Sequence, residues 1–185
     1  MGHGNQAALE SRQAVELLRM CLDAGYDRAQ TLTAVNGMML LAGQGERFTT
    51  VDLFLLDLWT GKASLDKLGA AGSYLMQAEG LSLLGGDALP LGILENVESG
   101  EKLMQLHQGD TLILLSDGVE DAYENRQAME ETIRDALTLE TAQDAANAIL
   151  TGAQSGDAAP ADDQTVLVLR LIRARADAKI EEMYQ

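Results

Sequence analysis

The carboxylates of Asp117, Asp162 and Asp163 are the side chains that type and spacing best suit to chemistry. Asp117 follows TLILL at 111–115, five apolar or β-branched residues with no polar break. That is the pattern of a strand buried on both faces. Gly109-Asp110 marks the turn into this strand. Ser116-Asp117-Gly118 then puts a carboxylate at its C-terminal end, with Gly118 expected to let the backbone turn sharply. A charge at such a lip is costly to desolvate unless it meets water, a donor or a cation. Alone, the motif reads as a strand-ending Asx turn. Asp162-Asp163-Gln164-Thr165 mirrors it at the start of the apolar run at 166–169. Two carboxylates at the ends of two core strands could converge on one hard cation. The remaining polar residues carry weaker signals. Asp52 and Asp57 sit in strand patterns and are expected on a solvated face. His107 reads as a turn residue and Cys21 as a small buried apolar one.

The elements that must hold these carboxylates follow from periodicity. Residues 6–24 and 28–43 repeat apolar side chains at helical spacing, with Asn5 and Asp27 as N-caps and Gly25 as a stop. The Met38-Met39 end of the second helix suggests adaptable packing. Residues 48–58 turn β-rich, and Trp59-Thr60-Gly61-Lys62 is a hairpin turn into the run at 63–68. A second hairpin crosses Glu79-Gly80, the loop at 89–93 should lie against the core, and 101–106 forms a further strand. Helices at 127–137 and from Thr141 to a stop at Gly152 follow, then a surface loop at 155–161 and a last strand at 165–171. Two helices, five or six mainly antiparallel strands, two helices and a strand make an α+β chain, with two sheet layers between helices. Residues 1–172 form one unit, and 173–185 is a charged, solvated helical tail.

Length and composition narrow the function. A chain of 185 residues suits one domain with a sizeable core. With 46% hydrophobic and 23% charged residues it has the composition of a soluble globular protein. A net charge of −16 argues against nucleic acid and against direct contact with an anionic membrane. The single cysteine rules out an internal disulfide and fits a reducing compartment. No stretch has the length of a membrane span, and the first five residues lack the features of a signal peptide. A cytoplasmic chain is expected.

Four stretches resemble the metal-dependent type 2C (PPM) protein serine/threonine phosphatases: TTVDL at 49–53, LPLGIL at 89–94, GDTLILLSDG at 109–118 and DDQTV at 162–166. Within that superfamily they are similar to the sporulation branch represented by the phosphatase domain of stage II sporulation protein E. The resemblance implies a four-layer αββα sandwich with a site for two Mn2+ or Mg2+ ions at one end of the paired sheets. A bridging hydroxide there attacks phosphorus in line. It also implies that Asp117 and Asp162 are catalytic metal ligands, supported by Gly118 and by Asp163, which orients its neighbour or the loop. Family members carry an earlier Asp-Gly-Met-Gly motif whose Asp bridges both metals. This sequence opens Met1-Gly2-His3-Gly4, so it is expected to start inside that motif, truncated at the N-terminus, with one weak metal site and low activity. The implied substrate is a phosphorylated anti-anti-sigma factor controlling sporulation, and the implied parent is anchored to a membrane by a preceding segment. The first two helices are expected to lie beside the site, to couple their position to metal binding, and to offer a homodimer surface. A non-catalytic interaction module keeping the phosphatase fold is the alternative. A phospho-accepting receiver domain fits less well, because residues 49–84 are rich in hairpins rather than in alternating strands and helices.

Overall fold

The computed structural model describes residues 5–43, 48–97, 100–155 and 162–172. Two helices come first, α1 (Asn5–Asp23) and α2 (Arg28–Gly43). The start of α2 is fixed by a reciprocal cap. The Gln30 amide donates to Asp27 Oδ1 at 2.8 Å, and the Asp27 amide donates to Gln30 Oε1 at 3.1 Å. Two otherwise orphaned donors at the helix start are thereby satisfied. The strands β1 (Val51–Leu56) and β2 (Lys62–Leu68) form the expected hairpin, as do β3 (Ser73–Gln77) and β4 (Gly80–Leu84). Next come β5 (Lys102–Gln105) and β6 (Thr111–Leu115), then α3 (Asp117–Glu120), α4 (Arg126–Ala136), α5 (Ala142–Ala153) and β7 (Val166–Arg170).

The strands pair antiparallel into two sheets of order β1-β2-β5 and β4-β3-β6-β7. Against the first, α1 and α2 press Ala14, Leu32, Val35 and Met39 onto Val51, Leu53, Leu68 and Leu91. Against the second, α4 and α5 press Met129, Ile133, Ala145 and Ile149 onto Tyr74, Ile113 and Leu115. Ala63, Leu75 and Leu106 close the space between the sheets, packed by Phe54, Leu56 and Met104. Each fully buried Leu or Ile contributes about 1.5–3 kcal/mol of transfer free energy, so these three clusters hold four layers together. The αββα arrangement is the expected one, and β6 is buried along nearly its whole length.

Several expectations shift. Of the apolar helical repeat expected at 6–24, Val15 and Met20 are 61% and 62% exposed, and Ala8 is exposed as well. The stripe that packs is Ala14, Leu17, Leu18 and Leu22, and residues 15 and 20 lie about 100° or more around the helix from Ala14. Cys21 is half-buried rather than buried. Met39 packs in the core while Met38 is exposed. Of the loop at 89–93, Leu91 is buried and exchanges amide bonds with Thr49 at 2.9 and 3.0 Å, whereas Leu89 and Ile93 stay exposed. Pro90 fits beneath Gly69, where a Cβ would stand 2.3 Å from the proline ring and φ is +66°. Asp52 is not on a solvated face. It is half-buried and ion-paired, because the antiparallel register sets it opposite Lys67 on the face turned toward the second sheet. Asp57 is exposed, as expected, and so is His107, whose amide donates to Asp110 in a turn. The loop at 156–161, the tail at 173–185 and His3 lie outside the described residues.

Candidate metal centre

Asp117 stands at the first position of α3, a single turn that begins where β6 ends. This short helix has no apolar periodicity of its own and was not legible in the sequence. Its position comes from a set of bonds between Ser116 and the residues leading into β7. The Ser116 amide donates to the Thr165 carbonyl at 3.0 Å, and the Thr165 amide donates to Ser116 Oγ at 2.9 Å. The same hydroxyl donates to the Asp163 carbonyl at 3.1 Å. Ser116 thus stands at the N-cap of α3 without making a side-chain cap bond, since its hydroxyl joins two chain segments instead.

Gly118 is required here for closeness rather than for turning. A Cβ at this position would lie 2.5 Å from the Asp163 carbonyl oxygen and 3.3 Å from the Asp162 carbonyl carbon. Gln164 closes the junction by donating Nε2 to the Gly118 carbonyl at 3.1 Å. The two acidic motifs, 45 positions apart from Asp117 to Asp162 in the chain, are therefore in direct main-chain contact.

Both carboxylates face solvent. Each spends one oxygen on the amide that follows it: Asp117 Oδ1 accepts from Gly118 at 3.0 Å, and Asp162 Oδ1 accepts from Asp163 at 2.8 Å. Two hard, anionic oxygen donors with an open side are the donor set that Mg2+ or Mn2+ takes, completed by water. The residues therefore fit such an ion. Among the described residues, no group of three or more His, Cys, Asp or Glu side chains is arranged to hold a metal. Asp163 acts on the junction through its main-chain carbonyl and amide.

Four further residues belong to this end of the molecule. Glu120, one turn after Asp117, accepts from the Gly72 amide at 3.2 Å and ties α3 to the start of β3. The Lys67 ammonium is wholly buried and donates to Asp52 Oδ1 at 2.7 Å, Asp52 Oδ2 at 2.9 Å and Ser73 Oγ at 2.8 Å. Sequence reasoning passed over Lys67 and Glu120, and named Ser116 only as part of its motif. A lysine beside an aspartate, as in Asp66-Lys67, reads as a solvated side chain, and only cross-strand register reveals its partner.

The model of the stage II sporulation protein E (SpoIIE) family matches residues 1–172. Stage II sporulation protein E of Priestia megaterium is 30% identical over 119 residues, which is 64% of this chain and 20% of that protein. The solved PP2C phosphatase domain of SpoIIE from Bacillus subtilis, with a fragment of its regulatory domain, superposes with a TM-score of 0.81 at 27% identity. It covers 92% of this chain and 52% of its own. The Mn-presoaked phosphatase domain of the Bacillus subtilis protein gives 0.61 at 23% identity, covering 95% and 78%, and bears on the fold alone. The chain thus spans about half of the first solved relative and a fifth of the curated one. Among the described residues no helix is long and apolar enough to cross a membrane. With its sandwich fold and its two joined acidic motifs, the chain belongs to the stage II sporulation protein E family and has the fold of a PP2C phosphatase domain.

Proposed function

We propose that this domain hydrolyses a phosphoserine on a protein, with Asp117 and Asp162 holding a divalent cation. The observation that carries the reading is the junction at Ser116 and Gly118, which brings two solvent-facing carboxylates to one end of the sandwich. Manganese is the first ion to test, because a solved relative was presoaked with it; Mg2+ has the same ligand preference. When bound, such ions supply an activated water and neutralise charge on the phosphoryl group, and a pair of them does so on both the attacking and leaving oxygens. The chain's part is to hold the two carboxylates in register at a strand end. Their open side admits a phosphorylated side chain.

By family membership the substrate is a phosphorylated anti-anti-sigma factor. The domain works on the cytoplasmic side of a membrane-anchored parent and pairs with a second copy through α1 and α2. Val15, Met20, Met38 and Leu41 are exposed on those helices, which supports the pairing. Isothermal titration of the chain with Mn2+ tests the site. A weak site that Asp117→Asn removes is expected, because two carboxylates are few ligands for such an ion. Tight binding that survives Asp117→Asn overturns the assignment. Full binding in a longer chain that hydrolyses no phosphopeptide at any Mn2+ concentration favours the non-catalytic interaction module.

A further inference from the structure

Lys67 lies at the same end of the sandwich as the two acidic motifs. It precedes Leu68, which pairs with the first residue of β1, and its partner Ser73 pairs with Leu114 near the end of β6. Burying an ammonium is costly, and an apolar side chain of that length would pack between the sheets with no such penalty. Here the cost is met by three acceptors, so all three ammonium donors are taken. None is left to reach a substrate, which excludes a contact role. The contacts instead join two sheets, Asp52 on β1 and Ser73 on β3, while Ser73 Oγ also stands 3.4 Å from Asp52 Oδ2. Gly86 closes over the lysine stem, where a Cβ would come within 2.8 Å of Lys67 Cβ. From Ser73 the connection runs one residue back to Gly72, whose amide is held by Glu120 one turn after Asp117.

We infer that Lys67 is a positioning residue: its ion pair with Asp52, extended through Ser73, Gly72 and Glu120, holds α3 so that Asp117 stays in register with Asp162. This rests on Asp117 and Asp162 being the metal ligands, although its structural half can be tested without metal.

The test uses the full chain and compares Asp52→Asn/Lys67→Met with Ser73→Ala. The double substitution removes both charges and leaves none unpaired, a change that in buried pairs is often neutral for stability. Ser73→Ala keeps the ion pair and cuts its contact to the other sheet. Three quantities are read: the melting temperature, amide exchange at Gly72 by NMR, and Mn2+ affinity by titration. In both variants Gly72 exchange is expected to rise about tenfold or more and Mn2+ affinity to fall about tenfold, the range seen when groups supporting metal ligands are lost. The melting temperature of at least one variant should stay near that of the unmodified chain. Unchanged Gly72 exchange in either folded variant overturns the proposal, and so does Mn2+ affinity that follows melting temperature alone. Failure of the unmodified chain to bind Mn2+ would count against the ligand assignment, and the exchange arm would still decide the role of Lys67.

Discussion

Two sets of carboxylates share one end of this domain and are treated in opposite ways. Asp52 is half-buried and is met by a lysine that the chain itself supplies, 2.7 Å away and fully enclosed. Asp117 and Asp162 face solvent, and among the described residues each accepts only from the amide of its successor. The difference follows from desolvation. A charge inside the sandwich must have its partner built in, because little water reaches it. A charge at the lip can remain uncompensated and accept its partner from solution. The first arrangement suits holding parts still, and the second suits binding an ion.

That contrast is broken most directly by making the same substitution on both sides of it. Asp52→Asn leaves the Lys67 ammonium buried without its counter-charge and should cost about 3–5 kcal/mol in urea unfolding. Asp117→Asn should change stability by no more than about 0.5 kcal/mol, as exposed substitutions do. Equal losses for the two would show that Asp117 is as much a structural group as Asp52. Next in size is Gly118→Ala, which drives a methyl toward the Asp163 carbonyl, 2.5 Å from where its Cβ would stand. Overpacking of this kind costs about 1–3 kcal/mol, and the Mn2+ response should weaken with it. Normal stability and normal binding together would mean that the junction at Gly118 does not set the ligand geometry.

The smallest effect sharpens the comparison with a third carboxylate. Asp57 is fully exposed and is held mainly by hydrogen bonds, with the Lys62 charge a smaller contribution. The Thr60 side chain, then the Thr60 and Trp59 amides, hold its pKa below the usual carboxylate value of 3.8. A depressed folded-state pKa gives a contribution that is present above the unfolded value and is lost as pH falls through the folded one. The stability gap between the unmodified chain and Asp57→Ala should therefore be constant above about pH 5 and shrink below pH 3.8. A gap independent of pH would show that the turn, not the charge, carries the difference.

The sequence alone determined what rests on local physics. Unbroken apolar character at 111–115 made β6 a buried strand, and Asp27 with Gln30 set the start of α2. The hairpins at 51–68 and 73–84, and the cap at Thr141, are likewise written in short windows of residues. The two acidic motifs at strand ends were legible for the same reason, since a carboxylate after five buried residues stands out. Tertiary structure decided what depends on register between distant segments. No window contains both Ser116 and Asp163, so their bond, the need for Gly at 118 and the single turn of α3 arise only once β6 lies beside β7. Lys67 is the sharpest case. Its neighbours in sequence mark it as a surface lysine, and only the pairing of β1 with β2 and the stacking of one sheet on the other enclose it with Asp52 and Ser73.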